Sequence, residues 1–239
     1  MDYSGFDLYD FFSKIHLGGK IDECVITRTK KGSKVMAMEL EGTVMVHALT
    51  PLDFGMDKIG IGSLPLLTKY LKANIESEIS ITCTPNRLNM KAGEGGKFGY
   101  LLSDPDLIPT YDPSWEETVN KKEILAKYEH PVHLTRARIA EFSKFMGMFA
   151  STVITISVAK GVVYFSSGSE VQHTFNVKMG NYGGEEFEPV EIYGTTLMAI
   201  IRVLNIEEDA PELLLADNED VCLKAGNALW TLHKIVTED

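Results

Sequence analysis

The chain has 239 residues, 44% of them hydrophobic and 24% charged, and a formal net charge of −11 at pH 7. That length holds two domains of about 120 residues, each able to bury its own core. The composition is that of a soluble globular protein. An acidic balance excludes indiscriminate whole-surface binding to nucleic acid, although it leaves room for a local basic stripe.

Residues 6–16 predict a short helix with Leu8, Phe11, Phe12 and Ile15 inward, ended by Gly18-Gly19. Strand-like runs follow at Cys24–Thr29, Lys34–Leu40 and Thr43–Leu49, with hairpin turns at Lys31-Gly32-Ser33 and Glu41-Gly42. A run at Phe54–Ile61 leads into a second helix, Ser63–Ala73, whose Leu64, Leu67, Tyr70 and Leu71 face inward. Strands at Glu78–Thr84, Arg87–Ala92 and Lys97–Leu102 close a first domain, 1–102.

Residues 103–129 break the pattern, because Pro105, Pro109 and Pro113 with Asp104, Asp106 and Asp112 oppose regular structure. This is the expected inter-domain connector, with room for a short helix at 115–128. Connectors of this length inside a compact protein are functional or mobile as a rule.

A second domain, 130–239, then repeats the programme. It has a short strand at Val132–Leu134, a helix at Thr135–Ala150, and strands at Val153–Val158, Val162–Ser166, His173–Met179 and Pro189–Tyr193. A helix at Thr195–Leu204 leads into strands Glu212–Ala216, Val221–Ala225 and Ala228–Val236. Letters match as well. Phe12-Ser13-Lys14 returns as Phe142-Ser143-Lys144 after 130 residues, Val25-Ile26-Thr27 as Val153-Ile154-Thr155 after 128, and Lys91-Ala92-Gly93 as Lys224-Ala225-Gly226 after 133. Their common order and near-constant offset indicate a duplicated domain. The fold class is therefore α+β, with antiparallel sheets and two helices per domain on one face.

The helix at Thr135–Ala150 is the most informative element. Ile139, Phe142, Phe145, Met146 and Phe149 make a wide apolar stripe, while Arg136, Ala140, Ser143, Lys144 and Gly147 lie opposite, all small or cationic. One such face also fits an ordinary solvated helix, but the offsets match Lys14 with Lys144 and Lys69 with Arg202. Every predicted helix thus carries a cation. Lys72, Arg136 and Arg138 extend the set, and Lys20 lies just past the first helix. Cations on helices suit phosphate oxygens, which need charge and reach but no base-edge geometry. Few Asn or Gln residues accompany them and the aromatics point inward, which disfavours base readout and single-strand stacking. The expected contact is weak, sequence-blind and salt-sensitive.

A duplicated two-helix domain, basic helix faces on an acidic chain and a proline-rich connector together resemble the DNA sliding clamps, over residues 6–236. The plan is most similar to the tailed-bacteriophage clamps and the proliferating-cell nuclear antigen type. The phage type is the more similar at Ile154–Val158, Lys160-Gly161 and the turn Met179-Gly180-Asn181-Tyr182-Gly183-Gly184. The resemblance implies a non-enzymatic processivity factor without cofactor, metal or membrane. It implies a homotrimeric ring that encircles double-stranded DNA without regard to sequence and tethers the replicative DNA polymerase. Lys14, Lys20, Lys69, Lys72, Arg136, Arg138, Lys144 and Arg202 would face the DNA. Polymerase and clamp loader would dock short apolar peptides near Leu107 and Ile108 on the connector and Ile235 and Val236 near the chain end. With no signal-like apolar run and no apolar stretch of about 18 residues, the expected location is the cytoplasm, that of the host cell if the protein is viral. The first helix departs from the pattern, since Phe6 and Asp10 match Arg136 and Ala140.

Other constellations carry little. Gly95-Gly96-Lys97 is followed by Phe98 where a phosphate loop needs Ser or Thr, so it reads as a hairpin turn. Gly60-Ile61-Gly62 is half a dinucleotide fingerprint. His130 and His133 lack further ligands at zinc spacing, and Asp217, Glu219 and Asp220 read as solvated turn carboxylates. Cys24, Cys83 and Cys222 read as reduced core thiols. Tyr111 and Trp115 could dock a partner or pin the connector. Two rival functions stand beside the clamp: a clamp-fold interaction scaffold or regulator that does not encircle DNA, and a two-domain enzyme with an inter-domain cleft.

Overall fold

The computed structural model describes residues 1–109, 125–149, 152–168 and 173–235. Contacts divide the chain into two units, Met1–Leu40 with Met45–Tyr111, and Glu41–Val44 with Asp112–Asp239. No helix among the described residues is long and apolar enough to cross a membrane.

The first unit runs β1 (Asp2–Ser4), α1 (Gly5–His16), β2 (Cys24–Thr29), β3 (Gly32–Met38), β4 (Val44–Thr50), β5 (Lys58–Ile61), α2 (Leu64–Ala73), β6 (Glu78–Thr84), β7 (Arg87–Ala92) and β8 (Lys97–Leu101). Strand β1 was not expected, because three residues carry no readable period. Ser4 caps α1 by accepting the Asp7 N–H at 3.4 Å. The helix ends one residue before the glycines, where Leu17 takes a left-handed φ of 50° and returns its N–H to Ser13. Pro65 sits in the first turn of α2, where a missing N–H costs nothing. The two helices pack together and bury Leu8, Phe12, Ile15, Leu64, Leu67 and Leu71.

The strands of this unit pair antiparallel among the described residues. The side-by-side order is β1-β6-β7-β8 in one set and β5-β2-β3-β4 in another. Strand β6 alternates as expected, with Ile79 and Ile81 buried between exposed Glu78, Ser80 and Thr82.

The second unit runs β9 (Val132–His133), α3 (Arg136–Phe149), β10 (Val153–Ala159), β11 (Val162–Ser167), β12 (Phe175–Asn181), β13 (Val190–Tyr193), α4 (Gly194–Val203), α5 (Ile206–Asp209), β14 (Glu212–Leu214), β15 (Val221–Ala225) and β16 (Ala228–Leu232). Its strands take the orders β9-β14-β15-β16 and β13-β10-β11-β12. Element by element, this is the first unit again. Among the described residues the addition is α5, which the sequence reading missed. The core centres on Phe142, which meets Phe165 edge-on at 5.2 Å, and on the fully buried Trp230.

The duplication is real, but one of its letter matches and one of its cation pairings are out of register. The hairpins β2–β3 and β10–β11 close over Lys30-Lys31 and Lys160-Gly161, 130 residues apart. Val25 therefore corresponds to Thr155, and the repeat of Val-Ile-Thr after 128 residues is a slip of two. A slip of two keeps the same faces in and out, which is why the letters agree without equivalence. Counted from the first residues of α2 and α4, Arg202 likewise corresponds to Lys72, and Lys69 to Ala199.

Of the three thiols, Cys24 and Cys222 are buried and Cys83 is only half-buried, so the expectation of three core thiols fails at Cys83. Burial raises all three above the ordinary thiol range.

Candidate nucleic-acid interface

Helix α3 presents the two faces its spacing predicts. Ile139, Phe142 and Met146 are buried, and Phe145 stacks on Phe175 at 5.6 Å. On the other side Arg136, Ala140, Lys144 and Gly147 are exposed and Ser143 is half-buried. An apolar stripe on one side leaves the opposite stripe to solvent, so burying Phe142 also aims Lys144 outward.

The eight candidate cations fall into two groups. Lys69 and Lys72 on α2, Lys144 on α3 and Arg202 on α4 are exposed, with no carboxylate at ion-pair distance among the described residues. The other four have carboxylate partners. Lys14 meets Asp10 at 2.8 Å, Lys20 meets Glu39 at 3.1 Å, Arg136 meets Glu207 at 2.6 Å and Arg138 meets Glu141 at 3.0 Å.

Lys14 requires a correction. It was expected on the outward face of α1, as the counterpart of Lys144, yet it is only 5% exposed. Residue 10 explains the difference. In α1 it is Asp10, one turn before Lys14, and the carboxylate holds the ammonium against the helix. In α3 the same place is Ala140, and Lys144 stays in solvent. The outward side of α1 is left with exposed Phe6 and Asp7, so α1 offers no cationic face.

Sequence reasoning missed the four carboxylates. Asp10 and Glu141 were findable, since they stand four and three residues from their partners on one helix. Glu39 and Glu207 come from distant parts of the chain and have no local signal.

The expected docking residues separate too. Leu107 is 81% exposed, but Ile108 is 5% exposed and packs over Gly60 of β5. Ile108 is therefore a core side chain and not part of an open pocket. Ser103 donates its N–H to Gly60 at 3.0 Å and lies so close to Gly60 and Gly62 that a side chain at either would collide with it. These glycines answer to the close approach of the chain after β8, which disposes of the dinucleotide reading. Ile235 plays the part of Ser103 in the second unit, donating its N–H to Glu191 of β13 at 2.8 Å. Val236, Tyr111 and Trp115 lie outside the described residues.

Gly95 and Gly96 lie in the β7–β8 turn, and Lys97 opens β8 opposite Lys91. The ring of His130 meets Tyr182 edge-on at 5.9 Å, while His133 is exposed and lies 3.4 Å from Glu212. Of the turn carboxylates, Asp220 is not simply solvated: it bonds His233 at 2.9 Å and the Lys234 N–H at 3.3 Å.

No family model and no curated protein matches the chain. A solved structure does, described as the C-terminal region of FEN-1 bound to A. fulgidus PCNA. The similarity covers 100% of this chain and 98% of that one, with a TM-score of 0.73 at 15% sequence identity. The fold is that of a sliding clamp. The likeness spans both units, and so both copies of the ten-element repeat.

Proposed function

We propose that the protein is a DNA sliding clamp, a ring that encircles duplex DNA and tethers the replicative DNA polymerase for processive synthesis. The reading makes 1–102 and 130–239 its two clamp domains and 103–129 their connector, in a chain of the phage type that assembles as a homotrimer. The observation that carries it is the repeated ten-element unit, which matches a clamp chain over its full length at a TM-score of 0.73. Contact with DNA falls chiefly to Lys69, Lys72, Lys144 and Arg202. It is weak and confined to phosphates, as sliding requires. Strands β8 and β12 each end a sheet. One such edge from each unit is what a head-to-tail closed ring consumes, and pairing them between copies protects both. The PCNA neighbour carries the C-terminal region of FEN-1, which supports docking of partner segments, such as those of a polymerase or clamp loader, on this fold. For this chain, Leu107, Ile235 and Val236 remain the assigned docking residues.

The test is particle imaging with mass measurement on the purified protein: hollow rings of three chains are expected, and a monomer at micromolar concentration overturns the ring. A second reading is a clamp-fold scaffold that does not encircle DNA. It is favoured by the carboxylate partners on half of the candidate cations, and a monomer that still captures polymerase or loader would support it.

A further inference from the structure

Helix α5 has no counterpart in the first unit. There the chain passes from α2 to β6 through 74–77, whereas from α4 to β14 it takes 204–211 and adds the turn Ile206–Asp209. The insertion is anchored firmly. Asp209 is 8% exposed, accepts the Asn205 N–H at 2.8 Å through its carboxylate, and accepts the Gly226 N–H at 2.8 Å through its carbonyl. Packing Asp209 inward turns Glu207 outward, and Glu207 Oε1 reaches Nη1 of Arg136, the first residue of α3, at 2.6 Å.

Both members of that pair are exposed, at 75% and 72%. An ion pair so open to water adds little to stability, so holding the fold together does not account for an inserted helix that delivers it. What the pair does change is the charge offered to a ligand. Arg136 stands on the same side of α3 as Lys144, and a guanidinium is the side chain best shaped for two oxygens of a phosphate. The Glu207 carboxylate also carries two oxygens, and one of them, Oε1, already holds Nη1 of that fork.

We infer that Glu207 is a built-in competitor for DNA phosphate, placed by α5 to occupy Arg136 and keep the clamp's hold on the duplex loose. This rests on the proposed encirclement of DNA. When a backbone phosphate comes within reach, it displaces the carboxylate, and when the ring moves on, the carboxylate returns. No bond forms or breaks beyond these charge-assisted hydrogen bonds.

The test is equilibrium binding of the intact protein to a 30-base-pair duplex, read by fluorescence anisotropy across a salt series. Glu207→Gln should tighten binding about threefold and steepen the log–log salt slope by about 0.9, the increment for one further phosphate contact. Glu208→Gln makes the same change in net charge one residue away, on an exposed side chain, and should leave both quantities as they are. In an Arg136→Ala background the gain from Glu207→Gln should vanish. The inference is overturned if Glu207→Gln matches the native protein, if Glu208→Gln gains as much, or if the gain survives without Arg136. In those cases, loss of binding by Lys144→Ala with Arg202→Ala would leave the DNA reading standing. If that double variant binds as well as the native chain, the DNA reading itself fails and the inference falls with it. Circular dichroism of each variant confirms that it is folded.

Discussion

At residue 10 of α1 there is a carboxylate and at residue 140 of α3 a methyl group, and this decides whether the following lysine serves the surface or the interior. Lys144→Ala should lower the salt slope of DNA binding by about 0.9 without loss of stability. Lys14→Ala should do the reverse, leaving the slope unchanged and costing about 1 to 2 kcal/mol in denaturant unfolding. A shallower slope for Lys14→Ala would mean that Lys14 reaches DNA after all. Gly60 is a second position where one carbon matters. A Cβ there would lie 2.5 Å from the Ser103 carbonyl oxygen and 2.9 Å from Ile108. Gly60→Ala should therefore cost about 1 to 3 kcal/mol, and an unchanged unfolding midpoint would show that the connector's first residues yield freely.

Among elements, the turn between β14 and β15 holds the segment after β16 in place. Asp220 accepts from His233 Nδ1 at 2.9 Å and from the Lys234 N–H at 3.3 Å, and its carbonyl accepts the Tyr128 hydroxyl at 3.0 Å. Burial would raise the Asp220 carboxyl, but its bonds to His233 and Lys234 outweigh that and hold it below the ordinary range. The bond to Asp220 lifts His233 above its ordinary 6.5, against the opposing effect of burial. For His233 the stabilisation is complete below the unfolded pKa and is lost as pH rises through the raised folded one. For Asp220 it is present above the unfolded value and lost as pH falls through the lowered one. The tie is therefore firmest between those two limits. In an NMR titration, His233 should have a midpoint above 6.5, and Asp220→Asn should bring it down towards that value. A native midpoint at or below 6.5 would contradict the tie.

Most elements were legible because their hydrophobic period is long: α1, α2, α3 and α4, and strands such as β6 with its clean alternation. The misses share a cause. Strand β1 and helix α5 are three and four residues long, too short to show any period. The strand expected at Phe54–Ile61 shrank to Lys58–Ile61, and the last one stopped at Leu232 instead of Val236, because apolar residues continue past the last ladder bond. For the interface, outward direction could be read from spacing alone at Lys69, Lys72, Lys144 and Arg202. Neutralisation of Lys20 and Arg136 could not, since Glu39 and Glu207 are brought to them only by tertiary folding.

For the whole molecule, the proposed ring makes strands β8 and β12, each at the end of a sheet, its joints. If rings close by joining these edges, subunit exchange must break two rows of backbone hydrogen bonds and their flanking side-chain contacts. Rings should then persist on dilution and open cooperatively. Mass photometry from micromolar to low nanomolar concentration should show trimer giving way to monomer with little dimer, because a dimer leaves one β8 and one β12 bare. A dominant dimer would contradict closure by a single repeated joint.

The bond from Ile235 to Glu191 has a practical consequence for handling. Strand β13 borders its sheet, and this N–H occupies a backbone acceptor that would otherwise face outward. A chain trimmed by a carboxypeptidase to a point upstream of residue 235 would carry a raw seam there, open to any extended polypeptide nearby. Aged or clipped preparations should therefore clump, and turbidity would report the damage sooner than any loss of helix signal.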